Sequence, residues 1–410
     1  MMPLVDLDAL DNFVERDFKK SLKPKIGVVG AGRLGICFAL LCDKAGYDVM
    51  VSDIREDYVK DLQNKKISTN EPGVEELLQT SNFKATTSNE EVIKYADIIY
   101  TLVATPSTPE GDYDVSAVDN VVSDILRGGW ATCGPNGSGM TGKAFVVGCT
   151  TNPGDCAKWA KRLEDDGVDV YYNPEFIAQG SILKDLRNAD MVLIGGERNG
   201  TYDNLCELYN EIQDTLPKIS IMSLTAAELV KLAVNCYLTT KISYANMVGE
   251  VMTRAGLGDE IKNVLGAIGE DSRVGGKYLN YGYGFGGPCL PRDNRAFAAY
   301  AKKVGLDYNL GETTDNFNEE HSKFLCEYFC HKNLQGLPFY FDYVSYKKGT
   351  DILTESQQLR LCTDLLDLGY TVYVNDIPAI VNQLEYDFSI KYKDRVKFEE
   401  PTEEVYPIDL

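Results

Sequence analysis

Hydrophobic and polar positions along the chain fall into blocks that predict strands and helices in turn. The stretch KIGVVGAGRLGICFALLCDKAGYDVMVSDI starts with an apolar run and a glycine turn, continues as an apolar-striped helix ending at Gly46, and closes with a second apolar run ending at Asp53. Similar apolar runs follow in ADIIYTLVATPS, KAFVVGCTTNP, GVDVYYNPEF and MVLIGG. This alternation of strands and helices predicts an α/β fold with a doubly wound parallel sheet of the Rossmann type.

The pattern changes after this region. TAAELVKLAVNCYLTTKISYANMVGEVMTRAG, residues 225–256, contains no proline before its closing glycine. It predicts a helix of about 30 residues and about 45 Å, long enough to bridge domains or to build a dimer interface. The runs LPFYFDYVSY, SQQLRLCTDLLDLG and YTVYVNDI then return to strand, helix and strand. They predict a smaller Rossmann-like domain at the C-terminal end.

Composition narrows the possible functions. A length of 410 residues favours two or three domains, and a net charge of −21 argues against binding to nucleic acid or to an anionic membrane. We find no apolar run of the roughly 18 residues that a membrane helix needs. The acidic start of the chain is unlike a secretory signal, and eleven scattered cysteines suit a reducing compartment. We therefore expect a cytoplasmic protein.

The two histidines, His321 and His331, make a Ser-His-Asp site improbable on number alone. The segment HSKFLCEYFCHKN invites a zinc interpretation, because Cys326 and Cys330 share a helix face. Zinc sites usually use closer cysteine pairs and separated ligand sets. Aromatic and apolar neighbours favour a buried helix face instead, and we expect no metal site.

Gly30, Gly32 and Gly35 form a GxGxxG pattern between a predicted strand and a predicted helix, which places a pyrophosphate at the helix N-terminus. Asp53 follows Gly35 by 18 residues (53 − 35), close to the roughly 20 expected for the carboxylate that binds ribose hydroxyls. That carboxylate repels a 2′-phosphate and favours NAD over NADP, while Arg55 is the opposing signal.

Two further patterns leave a choice open. Lys231 and Asn235 share one face of a helix that is apolar on most sides, so they need a partner or a chemical role, unless Lys231 reaches solvent at a domain edge. In YGYGFGGPCLPRDN, residues 281–294, Cys289 stands beside Arg292 and Asp293. It is either a small buried hydrophobe in a loop or a nucleophile in a suitable electrostatic setting.

The stretches GFGGPCLPRD, YYNPEFIAQGSILKDL, AAELVKLAVN and NEPGVEELL resemble the UDP-glucose/GDP-mannose dehydrogenase family. The resemblance extends from about residue 25 to about residue 376, with the motifs in the family's order. It implies NAD-dependent four-electron oxidation of the C6 alcohol of a nucleotide sugar, with UDP-glucose favoured, in a homodimer. It casts Cys289 as the nucleophile that traps the aldehyde as a thiohemiacetal and later carries the thioester.

The resemblance implies roles for further residues. Lys231 and Asn235 resemble the groups that stabilise the oxyanion, and Asp293 resembles the group that orders water and Lys231. Glu175 is similar to the family's proposed general base, and Thr150 to its active-site threonine. Arg273 resembles an arginine that reaches the neighbouring subunit's substrate, and Lys347 resembles a nucleotide-sugar lysine. The remaining implied contacts are Thr105 and Thr150 with the cofactor, and Phe176, Tyr278 and Gly286 with the substrate.

With the resemblance, the expected division is an N-terminal extension (1–24), an NAD-binding Rossmann domain (25–215), a central helical dimerisation domain (216–315) and a C-terminal nucleotide-sugar-binding domain (316–410). Leu7, Leu10, Val14 and Phe18 recur at helical spacing, so the extension is expected to be a short amphipathic helix or a frayed tail.

The sequence also departs from the family's pattern. Gln179 stands where many members have a second glutamate, Arg292 where a lysine is common, Thr354 where an arginine is frequent, and Ala104 where a glycine is found. Three alternatives stay open. They are oxidation of a UDP-N-acetylhexosamine or of GDP-mannose, a two-electron dehydrogenase related to hydroxyacid or 6-phosphogluconate enzymes, and a nucleotide-sugar-binding protein without turnover.

Overall fold

The computed structural model describes residues 23–128, 143–177, 180–388 and 390–410. These residues form two compact units. The first unit contains the described residues within 1–104, 116–149 and 156–222, and the second contains those within 105–115, 150–155 and 223–410. The helix predicted around Leu7 to Phe18 lies outside the described residues. The four-part division drawn from the sequence stays a prediction.

The first unit is built on one large sheet. Its described strands are β1 (Ile26–Val29), β2 (Val49–Ser52), β3 (Lys84–Thr86), β4 (Ile98–Thr101), β5 (Ala144–Val147), β6 (Asp169–Tyr172), β7 (Val192–Gly195) and β8 (Ile219–Met222). They lie in the order β3-β2-β1-β4-β5-β6-β7-β8. All neighbours pair in parallel except β6 and β7, which are antiparallel. The order around β1 confirms the predicted doubly wound fold.

Helices cover this sheet. They are α1 (Arg33–Lys44), α2 (Glu56–Gln63), α3 (Val74–Thr80), α4 (Asn89–Tyr95), α5 (Ser116–Gly128), α6 (Asp155–Leu163), α7 (Ile182–Arg187) and α8 (Gly200–Ile212). The apolar stripe of α1, from Ile36 to Cys42, is buried against β1 and β2. The central strands are apolar on both faces, so they pack between helices. This packing fixes the positions of the strand ends. Those carboxyl ends carry the predicted cofactor residues.

The second unit combines long helices with a small sheet. Its described helices are α9 (Leu224–Arg254), α10 (Ile261–Glu270), α11 (Leu290–Lys303), α12 (Leu310–Lys332), α13 (Gln357–Asp367) and α14 (Pro378–Phe388), with a short 3₁₀ turn at Gly258–Glu260. Its described strands are β9 (Phe339–Phe341), β10 (Val372–Val374), β11 (Val396–Lys397) and β12 (Tyr406–Pro407), in the parallel order β11-β10-β9-β12. The predicted smaller C-terminal Rossmann-like sheet is confirmed.

The long helix predicted from Thr225 is α9, which has 31 residues. One of its faces is buried, including Glu228, Lys231 and Asn235, and the helix packs on α11 and α12. This packing places polar side chains of α9 beside the N-terminal end of α11. Among the described helices, none combines the length and the hydropathy that a membrane span requires.

Candidate active site

The glycine turn after β1 leaves room for a ligand at the N-terminus of α1. Gly30 has a φ of 97°, and a Cβ there would lie 2.7 Å from the carbonyl oxygen of Leu102. A Cβ at Gly35 would lie 2.0 Å from the carbonyl oxygen of Gly30. No atom lies within 4 Å of a Cβ position on Gly32, which caps α1. The N-terminal end of α1 at Gly32 is therefore open, and its positive helix-dipole end fits the pyrophosphate of NAD.

Asp53 follows β2 and is paired with Arg55. Arg55 Nε lies 2.8 Å from Oδ1 of Asp53, and Nη2 lies 2.8 Å from Oδ2. Burial alone would raise the pKa of Asp53, but the hydrogen bonds and the charge of Arg55 bring it below its ordinary value. The Arg55 guanidinium also lies 4.1 Å from the centre of the Tyr58 ring. The structure thus joins the two residues that gave opposing signals for the choice of cofactor.

Glu175 lies in the loop after β6, where a buried tyrosine holds it. The Tyr209 hydroxyl lies 2.8 Å from Oε1 of Glu175 and 2.6 Å from Oδ1 of Asn173. Asn173 is fixed in turn, because its Nδ2 donates to the Leu193 carbonyl at 2.9 Å. Burial, and then the charge of Glu175, raise the pKa of Tyr209 well above its ordinary value, so its hydroxyl keeps its proton. Phe176 follows Glu175 and is half-buried.

Cys289 lies at the N-terminal end of α11, in the second unit. Part of the residue is open to solvent, yet protein atoms surround the thiol closely enough that burial raises its pKa. Lys231 acts in the opposite direction, Asp293 raises the pKa further, and Arg292 lowers it. A helix N-terminus and two cations favour a thiolate, whereas burial and one carboxylate keep the resting thiol protonated.

The glycines before Cys289 allow close packing within the same unit. A Cβ on Gly286 would lie 2.3 Å from the carbonyl oxygen of Glu355. Gly287 has a φ of 80°, and a Cβ there would meet the Tyr346 ring at 2.5 Å. The Cys289 turn therefore lies directly against the segment that carries Tyr346 and Glu355. At Gly286, predicted as a substrate contact, the backbone of Glu355 lies in the space that a Cβ would take.

Asp293, Lys231 and Asn235 form a buried polar cluster between α9 and α11. Asn235 Nδ2 donates to Oδ2 of Asp293. Lys231 Nζ lies 3.9 Å from the same oxygen. The Asp293 residue is only 2% exposed. A buried carboxylate needs a counter-charge and donors, and the two side chains of α9 supply both.

Tyr113, which the sequence gave no reason to select, completes this cluster. Its hydroxyl donates to Oδ1 of Asp293, and the residue is buried. The Arg292 guanidinium lies 4.9 Å from the centre of the Tyr113 ring. Arg292 also donates from Nη2 to the Thr105 carbonyl and from Nε to Oγ of Ser107 at 2.9 Å. The segment from Thr105 to Tyr113 is thereby attached to the first turn of α11.

The segment after β5 is held by a buried carboxylate of α9. Glu228 accepts hydrogen bonds from Oγ1 of Thr151 at 2.8 Å and from the backbone N–H of Gly154 at 2.6 Å. Thr150, the predicted active-site threonine, comes directly before this anchored stretch and is half-buried. Glu228 is fully buried and was not selected from the sequence, although a glutamate on an apolar helix face was a usable signal.

Three of the predicted substrate residues are exposed to solvent. Arg273 pairs with Asp271, Nη2 to Oδ2 at 2.6 Å, and its side chain is 87% exposed. Tyr278 has a φ of 62° and is exposed. Lys347 is exposed in a turn whose backbone is closed by Thr350, which donates to the Lys347 carbonyl. Gln179 lies outside the described residues.

Both described histidines contact oxygen atoms of the protein. His321 Nδ1 lies 2.7 Å from Oε1 of Glu250, and Nε2 lies 2.8 Å from the Gly282 carbonyl. Because a carbonyl only accepts, Nε2 carries a proton and the ring joins α9 to the loop before Cys289. His331 Nδ1 faces the Glu327 carbonyl at 2.7 Å. In the part of the chain that the structure describes, no three His, Cys, Asp or Glu residues converge as metal ligands.

Comparison with known proteins adds independent evidence. UDP-glucose 6-dehydrogenase AglM of Haloferax volcanii is 28% identical over 380 residues, covering 90% of this chain and 87% of the relative. GDP-mannose 6-dehydrogenase of Pseudomonas syringae pv. tomato is 29% identical, covering 86% and 80%. A solved UDP-glucose dehydrogenase from Pyrobaculum islandicum superposes with a TM-score of 0.81 at 28% identity, covering 93% of this chain and 87% of that one.

Family profiles match two successive parts of the sequence. The NAD binding domain of the UDP-glucose/GDP-mannose dehydrogenase family matches residues 24–213, and the central domain of the same family matches residues 225–320. The first range contains the glycine turn after β1 and Glu175, and the second contains the cluster around Cys289. With both domains matched in order, the chain belongs to the UDP-glucose/GDP-mannose dehydrogenase family, and its cofactor is NAD.

Proposed function

We propose that this member of the family oxidises the C6 alcohol of UDP-glucose to the uronic acid through a covalent adduct on Cys289. The observation that carries the proposal is the buried cluster of Lys231, Asn235 and Asp293 beside that thiol. An ammonium and an amide fixed in a largely dry site are donors suited to a developing oxyanion. Neither group would be needed at this depth for packing alone.

The choice of UDP-glucose is supported by the names of relatives. AglM of Haloferax volcanii and TuaD of Bacillus subtilis are both UDP-glucose 6-dehydrogenases, at 28% and 30% identity to this chain. A GDP-mannose 6-dehydrogenase matches at 29%, so identity alone does not separate the two substrates. GDP-mannose is therefore the second candidate substrate, and a UDP-N-acetylhexosamine the third.

The chemistry divides a four-electron oxidation into balanced steps. The C6 alcohol loses a hydride and a proton and becomes an aldehyde. The Cys289 thiol adds to the carbonyl carbon, which forms a C–S bond and turns the carbonyl oxygen into a hydroxyl. Loss of a second hydride and a second proton gives a thioester, and water then breaks the C–S bond to release the acid and the thiol. When bound, NAD takes up one hydride in each oxidation, so two NADH form per sugar.

Separate groups of residues would bind the cofactor, stabilise the sugar oxygen and activate water. Gly30, Gly32 and Gly35 would hold the cofactor pyrophosphate at α1, with Asp53 on the ribose. Lys231 and Asn235 would stabilise negative charge on the sugar oxygen. Glu175, held by Tyr209, would accept a proton from the attacking water, and Asp293 would keep Lys231 and the water in place. Thr150, Thr105, Phe176, Tyr278, Gly286 and Lys347 are proposed as further cofactor and substrate contacts.

We propose a homodimer formed through α9. Tyr237, Tyr244, Met247 and Val251 are exposed apolar residues along one stripe of this helix. Their spacing of 7, 3 and 4 residues (237, 244, 247, 251) is the spacing of a helix–helix seam. A second copy of the chain is the partner that would bury this stripe on both helices. Arg273, exposed on the same unit, would then reach the partner's substrate.

We also propose a cytoplasmic location. The described cysteines, from Cys37 to Cys362, are free thiols, which suits a reducing compartment. The proposed division into an extension, an NAD-binding domain, a dimerisation domain and a nucleotide-sugar domain keeps the boundaries given above.

The deciding experiment incubates the purified protein with NAD and, separately, UDP-glucose, GDP-mannose and UDP-N-acetylmannosamine. We expect two NADH per UDP-glucose consumed and the uronic acid as product, with Cys289→Ala as the inactive control. One NADH per sugar with a free aldehyde would support a two-electron dehydrogenase instead. Calorimetric binding of UDP-glucose without NADH formation would support a binding protein. A higher kcat/KM for another sugar would replace UDP-glucose as the substrate.

A further inference from the structure

Asp293 is a carboxylate whose two oxygens face different elements. Oδ2 faces Asn235 and Lys231 on α9, while Oδ1 accepts from the hydroxyl of Tyr113. A carboxylate fixed through one oxygen alone can turn about its χ2 bond. Fixed through both, it presents one defined orientation to Lys231.

Tyr113 can only act as a donor here. Burial first, and the neighbouring Asp293 second, raise the pKa of Tyr113 well above its ordinary range. The hydroxyl therefore keeps its proton while it faces the carboxylate. A hydrogen bond from a neutral donor to an ionised acceptor is stronger than a hydrogen bond between two neutral groups. When the donor is removed from a buried site, the acceptor is left without a partner.

Tyr113 is itself held by backbone and ring contacts that do not involve Asp293. Its backbone N–H donates to Oδ1 of Asn152 at 2.7 Å, and its carbonyl accepts from Nδ2 of Asn152 at 2.8 Å. Its ring packs with Leu232 and Ala296, and the Arg292 guanidinium lies over it. A tyrosine clamped at its backbone and ring has few ways to move its hydroxyl. The contact with Asp293 is thus a built feature of this fold.

We propose that Tyr113 is a positioning residue that fixes Asp293 for thioester hydrolysis, an inference that rests on the function proposed above. With Oδ1 occupied by Tyr113, the remaining lone pairs of Oδ2 are directed to Asn235, to Lys231 and to the water between them and the thioester carbon. Hydrolysis adds this water to the carbonyl carbon, breaks the C–S bond and returns a proton to the Cys289 sulfur. Tyr113 neither gains nor loses a proton in this step.

The test is Tyr113→Phe, which removes the hydroxyl and keeps the buried ring. We expect kcat to fall by about 10- to 100-fold, the range that one hydrogen bond to a charged group represents. Because a slower final step lowers kcat and KM together, kcat/KM for UDP-glucose should change by less than twofold. A burst of NADH should precede the slow phase, with a sugar adduct on Cys289 visible by intact mass. Tyr308→Phe, at a tyrosine that is 94% exposed, is the matched control and should match the parent enzyme.

Two further variants separate positioning from a purely structural role. Tyr113→Phe combined with Asp293→Asn should turn over no more slowly than Asp293→Asn alone, because a residue that acts through Asp293 has no effect once that carboxylate is lost. Asn152→Ala loosens the Tyr113 backbone without touching Asp293, and it should reproduce a smaller fall in kcat with the same adduct.

The outcomes distinguish the two proposals. A parent enzyme that reduces no NAD with any nucleotide sugar overturns the proposed function, and this inference with it. An active parent with an unchanged Tyr113→Phe variant overturns the positioning role alone. Additive losses in the double variant, or a fall in kcat with no adduct and a lowered melting temperature, also overturn the positioning role and leave Tyr113 as a packing residue.

Discussion

Arg55 binds both carboxylate oxygens of Asp53, with its Nε and Nη2 each 2.8 Å from one oxygen. A free arginine at this strand end would attract the 2′-phosphate of NADP, but this one has its charge balanced by Asp53. The paired carboxylate also stays ionised, because Arg55 lowers its pKa against the effect of burial. The pair as a whole offers ribose hydroxyls an acceptor and offers a phosphate little net positive charge.

We therefore expect Asp53→Ala to raise the KM for NAD by about tenfold or more, since a charged hydrogen-bond acceptor for the ribose is lost. The same change frees Arg55, so the preference for NAD over NADP should narrow. Steady-state constants with both cofactors measure this. Arg55→Ala is the matched control and should leave the preference for NAD in place. An unchanged NAD-to-NADP ratio in Asp53→Ala would contradict the role given to the carboxylate.

The parts of the fold that the sequence could predict are those with local signals. Gly30, Gly35 and Asp53 lie within one βαβ unit, whose apolar runs and turn residues are read directly from a short stretch. The long helix α9 is equally local, because 31 residues without proline have few alternatives. The roles of Cys289 and Asp293 were not local, and they rested on a resemblance.

The parts that could not be predicted depend on contacts between distant positions. Tyr113 and Asp293 are 180 residues apart, and Tyr209 and Glu175 are 34 apart. A tyrosine in a polar loop carries no pattern that would mark it as a partner of a buried carboxylate. His321 shows the same limit, because its pairing with Glu250, 71 residues away, is set by the packing of α12 on α9.

Cys289→Ser tests the nucleophile. We expect the overall four-electron reaction to stop while UDP-glucose binding stays within about twofold, because an alkoxide cannot readily replace a thiolate in the thioester step. Turnover and calorimetric binding are measured on the same preparation, with Cys289→Ala as control. A serine variant with the turnover of the parent enzyme would make Cys289 a structural residue.

The reactivity of Cys289 should rise with pH. Burial raises the thiol pKa above its ordinary value, so the thiolate fraction should still increase above pH 9. Alkylation by iodoacetamide, followed by peptide mass, reports this fraction for Cys289. Lys231→Met should slow alkylation at a fixed pH, because Lys231 lowers the thiol pKa, and Asp293→Asn should accelerate it, because Asp293 raises that pKa. A plateau below pH 8, or changes of the opposite sign, would contradict this electrostatic account.

The proposed dimer is tested at Val251, which is 61% exposed on the stripe of α9. Val251→Glu should shift the sedimenting species from dimer to monomer, because a carboxylate would be buried against the partner helix. Leu368→Glu alters an exposed leucine of similar size outside the stripe and should leave the oligomeric state unchanged. A monomeric parent that is fully active would contradict the proposal.

Arg273 should complete the site of the neighbouring subunit. Arg273→Ala and Cys289→Ala are each expected to be inactive. After mixing and exchange, half of the dimers carry one of each chain, and one of their two sites is intact, so about a quarter of the parent activity should return. Mixed dimers without recovered activity would place Arg273 outside the partner's site.

Glu175 is expected to limit thioester hydrolysis. Tyr209 holds its Oε1 at 2.8 Å, and neither residue has a role in taking up hydride. A general base contributes about 10²- to 10⁴-fold, so Glu175→Gln should slow the final step by that range and leave the earlier steps nearly intact. Rapid mixing with UDP-glucose and NAD should then show a burst of NADH and a thioester adduct on Cys289 by intact mass.

Gln179→Glu is the matched variant with a carboxylate added nearby in sequence, and its turnover should equal or exceed that of the parent enzyme. If Glu175→Gln hydrolyses the thioester at the parent rate with no adduct, water activation belongs to another group, and Glu175 serves only to hold Tyr209 and the loop after β6.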